Sequence, residues 1–198
     1  MDELILICNG FISRMGEGNK YSNISEEIIK KYKGVFLING EKDDIISYLW
    51  GKFGLSTYRN GLFWFVNPDE YNSLAKKFPN VSNNAIVFAR TGLGNLFLID
   101  DGITGKNINY LNTHNGQLNL VSRGFADFIE FMISSESVWK TDCYGKIELK
   151  ATKKQTLLPD ECLTFVPALA LGGDEKIANL QKVKIKENLE LLSQLHSK

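Results

Sequence analysis

His114 and His196 are the two side chains of this sequence best suited to proton transfer near neutral pH, because the chain has no other histidine. His114 precedes Asn115-Gly116, a dipeptide typical of hairpin turns, and His196 lies close to the last residue. We therefore expect both imidazoles to be exposed and to take no part in catalysis. The sequence also lacks a nucleophile elbow, a Walker phosphate loop and an H-E-x-x-H zinc motif. It thus predicts a protein without catalytic residues.

Adjacent acidic residues are the remaining candidates for metal chemistry. The pairs are Asp43-Asp44, Asp100-Asp101, Asp160-Glu161 and Asp174-Glu175. Neighbouring side chains point in different directions from a helix or strand, so adjacency alone does not assemble a metal site. The three cysteines are far apart and form no C-x-x-C motif, which argues against zinc or a disulfide framework. We predict no metal and no cofactor, with a hydrolase that uses a carboxylate-bound metal at Asp100 and Asp101 as an alternative.

The distribution of charge points to a protein partner. Lys plus Arg and Asp plus Glu both number 23, so the chain lacks the basic balance of a nucleic-acid-binding protein. Residues 155–175 contain four acidic residues and no Lys or Arg, and residues 91–105 also combine acidic residues with no basic one. Together these segments predict a negative surface that steers a basic partner. The candidate contact residues are Asp100, Asp101, Asp160, Glu161, Asp174 and Glu175.

A second unusual stretch, residues 107–122, has no charged side chain and contains five asparagines. One interpretation is a hairpin packed on the core with amide side chains outside. The other is an exposed edge that binds a protein, because uncharged edge strands lack the usual protection against strand addition. Tyr110 and Asn115 are the candidate contact residues of this edge.

Helices and strands that would position these residues can be predicted from periodicity and turn signals. Asn67-Pro68-Asp69-Glu70 supplies an N-cap, a proline at the first helical position and an acidic first turn. The predicted helices are Ser25–Lys33 ending at Gly34, Lys42–Phe53, Pro68–Phe78, Phe125–Ser134 and Ile185–Leu195. The predicted strands are Leu62–Val66, Ala85–Ala89, Asn95–Ile99, Asn107–Thr113 and Gln117–Ser122, the last four forming two hairpins. This order predicts an α+β fold with a helical N-terminal part and a short aromatic strand, followed by antiparallel hairpins covered by helices.

The composition is that of a folded protein, with 43% hydrophobic residues and 11% aromatic residues. The N-terminal apolar run is short and lacks the basic flank of a signal peptide, so we expect a cytoplasmic protein without a membrane partner. A pocket lined by Trp50, Tyr58, Phe63 and Trp64 is a further hypothesis. It would serve a module that senses a small molecule or a peptide.

Several motifs, in order, resemble two known families. Residues 48–71, reading YLWGKFGLSTYRNGLFWFVNPDEY, are similar to the GAD-like domain. The segments VFARTGLGNLFLIDDG, LPDECLTFVPALALGG and NLELLSQL resemble the C-terminal domain of Tdi1, an immunity protein against type VI secretion effectors. The resemblance implies a GAD-like domain over residues 1–82 and a Tdi1 C-terminal-like domain over residues 83–198.

This resemblance also implies a function. Such proteins bind and neutralise a toxic effector, often a DNase, inside the cell that makes it. The expected partner is therefore a cognate protein toxin, with no direct binding of nucleic acid. The motif residues themselves are expected to be structural, as aromatic core, helix cap and turns: Trp50, Gly61, Phe63, Trp64, Asn67, Pro68, Gly94, Pro167, Gly172 and Gly173.

Overall fold

A computed structural model describes residues 2–33, 45–102, 105–124, 127–129, 146–152 and 154–197. In these residues the fold is α+β, as predicted, with an antiparallel sheet enclosed between helices and a separate two-stranded hairpin. No helix of the described residues is both long and apolar enough to cross a bilayer.

The main sheet of the described residues has seven strands whose spatial order is their order in the chain. The strands are β1 (Asn19–Ser22), β2 (Leu55–Tyr58), β3 (Phe63–Phe65), β4 (Ile86–Thr91), β5 (Leu96–Gly102), β6 (Gly105–Asn112) and β7 (Gln117–Ser122). Every neighbouring pair is antiparallel, so the sheet is a meander. Both predicted hairpins are present. The first turns at Gly94, whose φ of 79° suits glycine, and the second at Gly116.

The helices lie before, between and after these strands. They are α1 (Asp2–Met15), α2 (Glu26–Lys31), α3 (Ile45–Phe53), α4 (Pro68–Ala75), α5 (Lys146–Thr152) and α6 (Ile185–His196). A separate antiparallel hairpin, β8 (Glu161–Phe165) and β9 (Leu180–Lys184), precedes α6 directly. The start of the predicted helix at Lys42, the cap at Gly34 and most of the predicted helix Phe125–Ser134 lie outside the described residues.

Helix α4 begins as its sequence predicts and ends earlier. The side chain of Asn67 accepts a hydrogen bond from the backbone of Asp69 at 3.1 Å, and Pro68 occupies the first turn. After Ala75 the backbone changes to shorter-range bonds, with the amide of Phe78 donating to the carbonyl of Ala75 at 3.0 Å. The predicted end at Phe78 therefore includes a tightened last turn that is no longer α-helical.

Helices α1 and α5 and the strands β1, β2, β8 and β9 were not predicted. The periodicity of α1 was available in the sequence, because Cys8, Phe11 and Met15 recur at helical spacing and are all buried. The short strands gave weaker signals. Exposed side chains at Lys182 and Lys184 flank a half-buried Val183 in β9, for example, and this alternation spans only five residues.

The central strands are buried on both faces of the sheet. In β3, Phe63 and Phe65 pack on one face while Trp64 packs on the other, and all three are at most 1% exposed. Alternation of the side chains along a strand produces this division. Because helices or loops cover both faces, the strands read as continuous apolar runs instead of alternating polar and apolar residues.

One face is closed by the N-terminal helices and the other by the C-terminal segment. Phe11 of α1 contacts Phe63 and Phe65 on the first face, with ring centroids 5.8 and 5.7 Å apart. On the second face, Leu163 of β8 and Leu189 of α6 belong to the same buried cluster as Trp64. Trp64 from the amino-terminal part and Leu163 and Leu189 from the carboxyl-terminal part therefore share one buried cluster.

The proposed boundary between residues 82 and 83 lies within this shared structure. Strand β3 pairs with β4 across it, with Phe63 opposite Thr91 and Phe65 opposite Ala89. Helix α4 also packs on α6. The division of the chain into two domains between residues 82 and 83 therefore remains a prediction made from sequence motifs.

We expect the two parts to unfold together, because each completes the core of the other. Replacing Leu189 by Ala, at a site with no exposed surface, should lower the free energy of unfolding by about 2–5 kcal/mol. The measurement is urea unfolding followed by tryptophan fluorescence and by far-UV circular dichroism, with coincident transitions for the two signals.

Leu158→Ala is the matched control, since Leu158 is 55% exposed. It should change the free energy of unfolding by no more than about 0.5 kcal/mol. Two separate transitions in the wild-type protein would contradict a shared core.

Candidate functional site

Three of the six acidic candidates are paired with lysines. Asp160, beside β8, lies 2.6 Å from the ammonium of Lys184, and this hydrogen bond lowers the pKa of the Asp160 carboxyl. Glu161 accepts a hydrogen bond from the amide of Leu158 at 2.9 Å. It also lies 3.8 Å from Lys182. Strand β9 thus supplies the positive charges that residues 155–175 lack, and the predicted negative surface is partly neutralised.

The other acidic candidates lie at two further places. Asp174 is 2.6 Å from Lys176, and Glu175 beside it is exposed. Asp100 and Asp101 are at the end of β5, in register with Asn107 and Lys106. Across the described ranges, no three His, Cys, Asp or Glu side chains are grouped as metal ligands.

The two candidates of the uncharged stretch occupy different environments. Tyr110 is 3% exposed, and its hydroxyl accepts a hydrogen bond from the amide of Asn95 at 2.7 Å. Asn115 is exposed in the turn, where its carbonyl oxygen accepts a bond from the amide of Gln117 at 3.0 Å. Tyr110 therefore belongs to the interior, and only Asn115 is available on the surface.

The four aromatic residues of the hypothetical pocket lie on two faces of the sheet. Trp50, Tyr58 and Phe63 fill the first face, and Trp64 lies on the second beneath the guanidinium of Arg90, 4.2 Å from the ring centroid. Each is at most 2% exposed. The structure does not bring these four side chains together around one cavity.

His114 is buried, which corrects the expectation of a surface histidine. Its Nε2 lies 3.0 Å from the carbonyl of Leu93, and because a carbonyl can only accept, Nε2 carries the hydrogen. The bare Nδ1 is enclosed and has no hydrogen-bond partner among the described residues, and the ring packs against Phe165 with centroids 5.2 Å apart. Burial, with a smaller contribution from the nearby His196, lowers the pKa of His114 to about 4. His114 is thus a neutral core residue at neutral pH.

An apolar groove lies between the β8–β9 hairpin, the turn that joins its strands and α6. Its volume is about 410 Å³, within the range of about 300–1,000 Å³ found for binding pockets. The apolar walls are formed by Phe165, Val166, Pro167, Ala168, Leu171, Val183, Leu191 and Leu192. Val166, Leu171 and Leu191 are 43, 65 and 52% exposed, so the groove leaves a large apolar area in contact with water.

The turn that carries Leu171 is shaped by two glycines. A short 3-10 turn over Leu169–Leu171 ends at Gly172, whose φ of 83° is left-handed. The amide of Gly173 donates to the carbonyl of Ala168 at 3.1 Å, and a Cβ at Gly173 would overlap the carbonyl of Pro167. Only glycine therefore permits this loop to close on itself.

The contact residues predicted from the sequence lie elsewhere, although residues 165–171 are all apolar. A signal for the groove exists in α6, whose buried stripe is Ile185, Leu189 and Leu192. Leu191 falls two residues after Leu189 and so points away from that stripe. An apolar residue off the buried face of a helix is a sequence signal for an exposed apolar contact.

Comparisons with known proteins place this architecture in a family. Residues 7–112, more than half of the 198 residues, match the family described as the GAD-like domain. The chain belongs to the GAD-like family. The GAD-like match covers α1 to β6 and so contains the seven-stranded sheet except β7.

A second match covers most of the remaining residues of this GAD-like protein. Residues 122–196 match the family described as "T6SS immunity protein Tdi1, C-terminal", T6SS being the type VI secretion system. That segment holds β8, β9, α6 and the whole apolar groove. No curated protein matches the chain.

The fold is also found in a solved structure, that of Atu4351 from Agrobacterium tumefaciens. The two proteins superpose with a TM-score of 0.72 and are 14% identical, over 93% of this chain and 87% of the other. At that identity the likeness establishes a common fold.

Burial of His114 predicts acid sensitivity. The pKa of His114 is about 4 in the folded protein, compared with 6.5 for an unperturbed histidine. Between these two pH values, His114 is protonated in the unfolded chain and neutral in the folded protein. The contribution of neutral His114 to the free energy of unfolding is therefore complete above pH 6.5. It decreases by about 3 kcal/mol as the pH falls towards 4. The free energy of unfolding should be measured by urea titration at intervals across this range.

His114→Gln removes the titrating nitrogen, and its amide can still donate to the carbonyl of Leu93. This variant should lose the pH-dependent difference, whereas the control His196→Gln retains His114 and should keep most of it. Parallel pH profiles for the wild type and His114→Gln would refute the assignment.

Proposed function

We propose that this protein is a cytoplasmic immunity protein of the type VI secretion system, which binds and neutralises a cognate toxic effector by stoichiometric occlusion. The match of residues 122–196 to the Tdi1 C-terminal family carries the proposal. The groove adds physical support, because exposed apolar surface rimmed by polar residues is typical of a protein-binding site.

The proposal assigns no catalytic step to this chain. Both histidines lack the setting of a proton-transfer group, because His114 is enclosed in the core and the ring of His196 packs beside Phe78. Cys162 is also buried, and burial raises the pKa of its thiol to about 12, so it is a poor nucleophile at neutral pH. This protein would neutralise the effector by covering part of its surface. A DNase is the leading class of effector. Binding would require neither nucleic acid nor a membrane.

Stoichiometric inhibition requires tight association. A nanomolar complex corresponds to a binding free energy of about 12 kcal/mol. Such affinity is reached by interfaces with a few well-packed apolar anchors surrounded by polar contacts. Val166, Leu171 and Leu191 are suitable anchors on this protein, since they are exposed before binding and supported by a rigid core.

We expect a tagged copy of the full chain to retain one stoichiometric protein partner from its native bacterium, identified by mass spectrometry. Expression of that partner alone should stop growth, and co-expression with this protein should restore it. The complex should elute as a single species of equimolar composition in size-exclusion chromatography.

The control is a toxin of a different effector class, against which this protein should give no protection. A retained partner that is harmless when expressed alone would argue against immunity. So would a saturable thermal shift with a small molecule in the absence of any protein partner, which would instead favour the sensing module.

A further inference from the structure

We infer that the groove between β8–β9 and α6 is the surface that receives the effector. Its occupant would be an apolar ridge of the effector that carries one hydrogen-bond donor and a neighbouring Lys or Arg. This inference rests on the proposed immunity function and specifies where and how the partner binds.

Exposed apolar side chains are concentrated in the groove. The large apolar side chains with the most exposed surface among the described residues are Ile5, Leu6, Leu120, Leu158, Val166, Leu171 and Leu191. Three of the seven, Val166, Leu171 and Leu191, line this one groove. Grouping of this kind is expected of an interaction site, whereas single exposed apolar residues are common on any protein.

The floor of the groove contains two polar oxygen atoms, Oδ1 of Asn188 and the hydroxyl of Thr164, without hydrogen-bond partners among the described residues. Asn188 is 5% exposed and lines the groove, and its Nδ2 donates to Sγ of Cys162 at 3.6 Å. No described residue donates a hydrogen bond to its Oδ1, and this atom is not among the enclosed unsatisfied atoms of the described residues. Thr164, which is 6% exposed, lines the same groove, and its hydroxyl likewise has no hydrogen bond within the described part of the chain.

These polar groups indicate the chemistry of the occupant. Oδ1 of Asn188 can only accept, so the group that satisfies it must carry an N–H or O–H. A donor at the tip of an otherwise apolar side chain, as in tyrosine or tryptophan, would fill the groove and reach this oxygen. Binding pockets typically combine apolar walls with a few such orienting polar groups.

The charges at the rim favour a basic neighbour. The groove has two charged lining residues, Lys184 and Glu187. The ammonium of Lys184 is 2.6 Å from Asp160 and interacts with Glu187 at longer range, and the exposed Glu187 forms no ion pair with any described residue. The carboxylate of Glu187 is therefore available at the rim and is complementary to a Lys or Arg beside the apolar ridge.

The test measures binding of purified full-length protein to the cognate effector by isothermal titration calorimetry. Leu171→Asp and Leu191→Asp each place a charge where the apolar ridge would sit, and each should weaken binding at least 100-fold. Leu158→Asp is the matched control, since Leu158 is 55% exposed and does not line the groove. It should change the dissociation constant by less than twofold.

Two further variants test the polar part of the inference. Asn188→Ala should weaken binding about tenfold, because the donor of the effector loses its acceptor. Glu187→Gln should slow association and reduce its dependence on salt, as expected for a rim charge. Thermal unfolding of every variant establishes that a loss of binding is not a loss of fold.

The outcomes separate the inference from the proposed function. If the wild type binds the effector and both groove variants bind as tightly, the groove assignment is wrong and immunity stands. If Leu158→Asp weakens binding as strongly as the groove variants, the effect is not specific to the groove and the assignment is also wrong. A dimer that Leu171→Asp dissociates, with effector binding unchanged, would assign the groove to a second copy of this chain. Failure of the wild type to bind any effector would instead overturn the proposed function.

Discussion

Burial of the central strands on both faces is the constraint on which the rest of this structure depends. A strand such as β3, with Phe63, Trp64 and Phe65 in succession, is stable only when both of its faces are shielded from water. Each large side chain that is fully buried contributes roughly 1.5–3 kcal/mol through the hydrophobic effect. The N-terminal helices shield one face and the C-terminal segment shields the other. Neither family segment can therefore be removed without exposing the sheet that both stabilise.

Arg90 shows how closely the two segments are joined. It has no exposed surface, its guanidinium packs over Trp64, and it donates to the carbonyls of Thr91 and Pro159 at 3.1 and 2.9 Å. Nε of Arg90 has no partner among the described residues, so these two carbonyls carry the hydrogen bonding of the buried charge and their positions are constrained. Pro159 directly precedes Asp160 and β8. A charge in the GAD-like sheet thereby fixes where the hairpin of the groove begins.

The sequence predicted turns and helix starts, because these depend on the conformation and hydrogen bonds of neighbouring residues. Asn115-Gly116 and Gly94 determine turns through their own backbone conformations, and Asn67 begins α4 through a hydrogen bond two residues away. The environment of His114 depends on Leu93 and Phe165, which are distant in sequence, and the turn beside it gives no sign of them. Such effects of long-range packing on single residues were not predictable from the sequence pattern.

The same distinction applies to the candidate site. The acidic residues of 155–175 looked unpaired because sequence inspection compares neighbours, whereas Lys184 reaches Asp160 only after β9 pairs with β8. The groove likewise exists only when the hairpin turn and α6 come together. Its apolar composition was visible in the run 165–171, but its exposure depends on what the other elements leave uncovered.

Stability and recognition make different demands on adjacent residues of α6. Leu192 is 1% exposed and supports the core, whereas Leu191 is 52% exposed and contributes little to it. Substitutions at exposed positions usually change stability by about 0.5 kcal/mol or less, while truncation of a buried leucine costs several times that amount. The outward wall of the groove can therefore change while the inward wall holds the fold. A family match that depends on core and turn residues would survive such changes.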